Sequence, residues 1–176
     1  MEKVKIILEA IAFAARRHDG QIRKDGQTPY VSHAYRVAVI LDQVFGVNDP
    51  EVLAAAVLHD TIEDTTTDFD DIEELFGVKI ASWVSTLSKD KRLPNEQREE
   101  EYYKALGCAP DQVKLIKLAD IFDNTFDSVN AGSSEGTDKI LKKIEKYITL
   151  FKPSINERIK PAFTIVEKLL AERKGR

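Results

Sequence analysis

Val52-Leu53-Ala54-Ala55-Ala56-Val57-Leu58-His59-Asp60-Thr61-Ile62-Glu63-Asp64 decides the fold class and points at the chemistry. The run from Val52 to Leu58 is apolar without interruption, so a helix there has no wet face and belongs at the centre of its domain. Asp49-Pro50 just before it supplies a helix N-cap followed by proline at the first helical position. Directly after the apolar run stand four groups able to ligate a metal or move a proton: His59, Asp60, Glu63 and Asp64. Ionised carboxylates are almost never taken out of water unless paired or metal-bound, because desolvation is costly even after relaxation. If the helix continues, Glu63 lies one turn beyond His59 and Asp64 one turn beyond Asp60, and the pairs line one mouth.

Outward from this centre the apolar spacing is helical throughout. Val4, Ile7, Leu8, Ile11, Ala12 and Ala15 form one stripe, and Val37, Ala38, Leu41, Val44 and Phe45 another. Ile72, Leu75 and Phe76 predict a short helix stopped by Gly77; Ile80, Trp83, Val84 and Leu87 predict a second. Lys89 to Pro94 reads as a loop, Tyr102 to Leu106 as a helix before Gly107, and Pro110 as the start of a long one through Ile121. A break is expected from Asn130 to Gly136, then a helix to Phe151 and a terminal helix with a frayed basic end. No segment alternates with period two and no hairpin turn signal lies between strand-like runs, so the expected class is all-α.

The 176 residues suit one domain, taken as 1–176, with a core large enough to need no disulfide staples. Cys108 is the only cysteine and no signal peptide is evident at the N-terminus, which fits a reduced, cytoplasmic protein. No stretch approaches the roughly twenty apolar residues that span a bilayer, so no membrane partner is expected. A formal net charge of −4 argues against a nucleic-acid footprint and leaves a small anionic ligand, held by locally gathered cations, as the expected partner.

Asp120 falls four positions after Ile116 and seven after Val113, on a stripe that should face the core, so something must neutralise it; Asn124 follows one turn later on the same face. His33 sits before the apolar run that starts at Val37, at or near a helix start where its ring can turn inward. Two imidazoles and two carboxylates form a borderline-to-hard ligand set suited to Mn²⁺, Fe²⁺ or Zn²⁺. Singly, each residue is better read as a satisfied core histidine or a helix-capping acid; together they favour a metal site. Of the cations, Arg23 and Lys24 stand near His33; Lys89, Lys91 and Arg92 could reach the pocket rim but are better read as a solvated loop, and Lys139, Lys142, Lys143 and Lys146 as a helix's wet face. Tyr30, Tyr102 and Tyr103 are better read as core than as base-stacking groups.

The order His33, His59-Asp60, Asp120 resembles the HD superfamily of metal phosphohydrolases. Longer words are more specific: Arg23-Lys24-Asp25-Gly26-Gln27-Thr28-Pro29-Tyr30-Val31-Ser32-His33, Leu58 to Thr65, and Lys117-Leu118-Ala119-Asp120 with Asn124. They resemble the hydrolase domain of the RelA/SpoT alarmone enzymes, in the layout of the stand-alone small alarmone hydrolases. The resemblance implies Mn²⁺-dependent hydrolysis of the 3′-pyrophosphate of guanosine tetra- or pentaphosphate. It also implies His33, His59, Asp60 and Asp120 as metal ligands, Glu63 and Asp64 as acid-base carboxylates, and Arg23, Lys24, Asn124 and Tyr147 near the nucleotide.

Two departures bear on the substrate. After the metal aspartate the family usually reads Arg or Lys, Leu, then His or Tyr before Asn, with Arg soon after; here the run is Ile121-Phe122-Asp123-Asn124-Thr125-Phe126. An acid replaces an aromatic or imidazole, and a cation is missing. Asp123 is expected to approach the pocket edge, where it would repel a polyphosphate, the alternative being that it faces solvent or pairs with a nearby Lys or Arg. The departures keep two rivals open, an HD phosphohydrolase acting on another nucleotide such as NADPH and a module that senses a nucleotide without cleaving it.

Overall fold

A computed structural model describes residues 2–127 and 134–174. Among them the chain is helical with no strand: α1 (Glu2–Arg17), α2 (Val31–Gln43), α3 (Pro50–Leu58), α4 (Thr61–Asp64), α5 (Phe69–Leu87), α6 (Asn95–Gly107), α7 (Asp111–Asp127), α8 (Ser134–Phe151) and α9 (Lys160–Lys174), with a 3₁₀ turn at Lys152–Ser154. The expected break at Asn130 to Gly136 lies mostly outside the described residues, and α8 begins within it. No described helix is long and apolar enough to cross a membrane.

The apolar run is the hub. Val52, Ala54, Ala55, Ala56, Val57 and Leu58 are all buried, and α3 packs against α1, α2, α5 and α7. Three consecutive alanines explain how one short helix takes so many neighbours, since small side chains let helix axes approach closely. Its start is set as the sequence predicts: Asp49 is extended, its carboxylate accepts the Glu51 N–H at 3.0 Å, and Pro50 follows.

Its end departs from the expectation of a continuous helix through Asp64. The helix stops at Leu58 because side chains take the carbonyls that a further turn would need. His59 Nδ1 lies 2.8 Å from the Ala56 carbonyl, and the Thr61 hydroxyl donates to the Leu58 carbonyl at 2.7 Å. A separate turn, α4, then carries Glu63 and Asp64.

The stop expected at Gly77 takes the form of a kink. The glycine has φ 83° and ψ 158°, and helix resumes at once on the other side, so α5 is two helices joined without a loop. Its start is a reciprocal capping box, with the Asp71 N–H donating to Asp68 at 2.9 Å and the Asp68 N–H to Asp71 at 3.2 Å. Between α1 and α2 the chain folds back on itself through an isolated antiparallel bridge between Ile22 and Pro29. The Tyr30 N–H donates to the Gln21 carbonyl at 2.8 Å, which delivers the Tyr30 ring and then His33 to the interior.

Candidate metal centre

Three segments converge below the α3–α4 break. His33 comes from the first turn of α2, His59 and Asp60 from the break itself, and Asp120 from the middle of α7, the helix that packs against α2. His33, His59 and Asp60 each offer a ligand atom, and those atoms all lie within 4.8 Å of one another. Asp120 closes the group from the other side, its Oδ1 3.2 Å from His33 Nε2. The two imidazole rings are both buried, their centroids 5.1 Å apart.

The donors fit a cation. His59 Nδ1 faces a carbonyl oxygen and must carry a proton, so Nε2 is the nitrogen that can turn to a cation. That Nε2 is buried without a hydrogen-bond partner although Asp60 Oδ2 is 3.1 Å away. Burial lowers the His59 pKa, but the Asp60 carboxylate outweighs it and raises it, so this nitrogen faces a place that favours positive charge, whether proton or metal ion. Burial lowers the pKa of His33, but the carboxylates of Asp120 and Asp123 outweigh it and raise it to about 9. Burial would raise the Asp60 carboxyl; His59 and His33 outweigh it and hold the group well below the usual carboxylate range. Both directions describe a seat that favours positive charge.

Around the seat the carboxylates are held in place. The Tyr30 hydroxyl donates to Asp60 Oδ2 at 2.6 Å and stands 3.1 Å from Asp64 Oδ2. Asn124 donates to Asp120 Oδ1 at 2.5 Å, and Lys117 to Asp120 Oδ2 at 2.7 Å. Glu63 accepts the backbone N–H of Lys89 at 3.0 Å; burial raises its pKa, with Asp60 and Asp64 adding to the effect against the Lys89 N–H. Asp64 is capped by Lys91 at 2.7 Å.

The seat opens into a cavity of about 180 Å³ walled by Tyr30, Glu63, Asp64, Lys89, Tyr102, Lys117, Lys143 and Tyr147 among others. A second, of about 200 Å³, shares Lys117, Asp120, Asn124, Lys143 and Tyr147 with it and adds Lys24, Ile121 and Ile144. Lys117 Nζ lies 4.9 Å from the centre of the Tyr147 ring and 5.6 Å from that of Tyr102. Burial and the neighbouring ammonium groups of Lys89 and Lys117 lower the pKa of Lys143. The metal end is thus rich in carboxylates and the outer end rich in lysines, a polarity suited to an anion bridging the two.

Several placements differ from the sequence reading. Lys89 and Lys143, expected on a solvated loop and a wet face, line the cavities. Tyr30 touches two site carboxylates instead of serving only as core. Arg23 does not line either cavity: it binds Asp127 at 2.6 Å, and its guanidinium lies over the Tyr30 ring at 5.8 Å. Lys24, Asn124 and Tyr147 line the wall of the second cavity. Asp123 departs from the pocket-edge expectation and takes the alternative, a pair with an arginine. It does not sit at the pocket edge: it is 1% exposed, 2.6 Å from His33 Nδ1, and gripped by Arg36. A carboxylate so enclosed and paired does not confront a substrate. Nothing in the sequence linked it to Arg36, 87 positions earlier.

The model of the HD domain family matches residues 10–145 of the chain. Guanosine-3′,5′-bis(diphosphate) 3′-pyrophosphohydrolase MESH1 of Danio rerio is 41% identical over 132 residues, 74% of this chain and 73% of the relative. The protein of that name from Homo sapiens is 42% identical over 131 residues, again 74% and 73%. In three dimensions the chain resembles a metazoan orthologue of SpoT that hydrolyses ppGpp and plays a role in starvation responses, with TM-score 0.82 and 31% identity, covering 96% of this chain and 95% of the other.

Proposed function

This chain belongs to the HD domain family, and from that premise we propose that it is a metal-dependent phosphohydrolase that removes the 3′-pyrophosphate of ppGpp or pppGpp, leaving GDP or GTP. One observation supports the metal most strongly: His59 Nε2 is buried without a hydrogen-bond partner, and the ligand atoms of His33, His59 and Asp60 all lie within 4.8 Å of one another. His33, His59, Asp60 and Asp120 would hold the cation, with Mn²⁺ as the proposed species. The chemistry that such a cation supplies when bound is Lewis acidity, which makes water a better nucleophile near neutral pH and offsets charge on the attacked phosphoryl group.

The chain's own groups account for the remainder. In the overall reaction a water oxygen bonds to the phosphorus attached to the ribose O3′, that P–O bond breaks, and O3′ departs as a hydroxyl after gaining a proton. Glu63, on the cavity wall with a raised pKa, is suited to handle that proton. Asp64, fixed between Tyr30 and Lys91, is suited to orient the water. Lys89, Lys117 and Lys143 would meet the phosphate oxygens, and Lys24, Asn124 and Tyr147 the nucleotide side of the second cavity. Arg23, engaged by Asp127, would act through the placement of its neighbour Lys24 unless the substrate draws it away.

The test is a substrate panel: the purified chain with Mn²⁺, offered ppGpp, pppGpp, NADPH and common nucleotides, with pyrophosphate and orthophosphate both measured. Pyrophosphate release from ppGpp supports the reading. Orthophosphate from NADPH alone would replace it with a phosphomonoesterase on the same centre.

A further inference from the structure

His33 and Arg36 lie three positions apart on α2, Asp120 and Asp123 three apart on α7, and the two helices pack together. The four side chains therefore form two facing rungs. On the first, His33 Nε2 faces Asp120 Oδ1 at 3.2 Å. On the second, Arg36 grips both oxygens of Asp123, Nε to Oδ1 at 2.7 Å and a terminal nitrogen to Oδ2 at 2.9 Å. A diagonal joins them, His33 Nδ1 to Asp123 Oδ2 at 2.6 Å. An ionised carboxylate can only accept, so the proton of that bond lies on Nδ1, and Nε2 is left to face the metal seat. The side chains of His33 and Asp123 are each 2% exposed, which keeps water from competing for the bond.

His59 provides an internal comparison. Its Nδ1 is also fixed, but by the neutral carbonyl of Ala56. A carbonyl sets the ring's orientation and tautomer; a carboxylate sets both and also makes the opposite nitrogen a stronger ligand. Arg36 makes such a carboxylate tolerable inside the protein, because its two-pronged contact compensates the buried charge. The resemblance to alarmone hydrolases leads one to expect His or Tyr at position 123, and Asp123 departs from that expectation.

We propose that Asp123, clamped by Arg36, is a positioning residue that fixes the tautomer and ring orientation of His33 and strengthens its Nε2 as a metal ligand. The inference rests on the metal reading above but not on which nucleotide is cleaved.

Two measurements on the full chain test it. The first is the Zn²⁺ and Mn²⁺ affinity of the wild type, Asp123→Asn, Asp123→Ala and Arg36→Gln, by competition with a chromophoric chelator, with circular dichroism giving the folded fraction. Asp123→Ala should bind metal about ten- to a hundredfold more weakly per folded molecule, and Asp123→Asn, which can still accept a hydrogen bond, should fall between it and the wild type. The second needs no variant. Long-range ¹⁵N–¹H spectra of the zinc-loaded wild type should show His33 protonated at Nδ1 and bound through Nε2. Affinity of Asp123→Ala within twofold of the wild type, with only its melting temperature lowered, would reduce Asp123 to a structural ion-pair partner and overturn the proposal. So would a His33 lacking the proton on Nδ1. A wild type that bound neither metal would overturn the metal reading itself, which separates that failure from this one.

Discussion

The Tyr30 hydroxyl donates to Asp60 Oδ2 at 2.6 Å. Asp60 has few other ways to hold its carboxylate toward the imidazoles, because the helix that carries it has just ended. Tyr30→Phe keeps the half-buried ring and deletes only that donor. Removing an outer partner of a ligand typically costs about ten- to a hundredfold in metal affinity or activity. The variant is therefore expected to fold, to bind metal at least tenfold more weakly, and to lose turnover at limiting metal, as read by calorimetric titration and steady-state assay. Wild-type affinity would show that Asp60 is held without it.

Metal removal gives the most direct outcome. Exhaustive chelation is expected to abolish hydrolysis, and one equivalent of Mn²⁺ per chain to restore it. His59→Ala and Asp120→Ala should lose metal and turnover together. Elemental analysis of each purified variant decides whether a residue belongs to the ligand set, since stoichiometric metal in either would exclude it.

For the carboxylates of α4 the expected pattern is the reverse. Glu63→Gln and Asp64→Asn should retain metal while turnover falls by roughly 10²–10⁴, the usual range for a lost acid-base group. If metal content collapses along with activity, these side chains support the ion instead of moving protons.

Lys143 lines both cavities from α8, one turn before the buried Tyr147 that lines them too. Lys143→Ala is expected to raise the KM for ppGpp by about tenfold, the size of one charged hydrogen bond, with metal content unchanged. The difference from wild type should shrink in high salt if the contact is partly open to solvent. Equal KM values at low salt would remove Lys143 from the substrate's path.

Gly77→Ala tests the kink of α5 apart from the chemistry. No atom would crowd the new methyl, yet φ 83° with ψ 158° is a conformation open essentially to glycine alone. The substitution should destabilise the chain by about 1–3 kcal/mol in urea unfolding. A smaller loss would mean that the two halves of α5 can straighten.

The parts of this protein that were legible in its sequence are those for which burial makes a residue costly. His59 and Asp60 stood out because they follow an apolar run, and Asp120 because its stripe faces inward; all three lie at the candidate centre. Helix period placed α1, α2, α3, α6 and α7 for the same reason. Lys89 and Lys143 were illegible because a lysine's long stem carries its charge away from where its backbone stands. Asp123 was misread because a carboxylate's meaning depends on its partner, and Arg36 lies on another helix. The end of α3 was missed because His59 and Thr61 cap it with side chains, a competition that apolar spacing does not register.

The proposed ligands belong to segments far apart along the chain: His33 on α2, His59 and Asp60 at the end of α3, Asp120 on α7. An ion held by all three would act as a cross-link that exists only while the helices are docked. Binding to the folded chain alone would then add to its stability in proportion to the logarithm of free metal, about 2.7 kcal/mol at a hundred times the dissociation constant. Thermal stability and metal supply would thus be a single coupled variable, and a preparation stripped of its ion would be a looser protein as well as an inactive one.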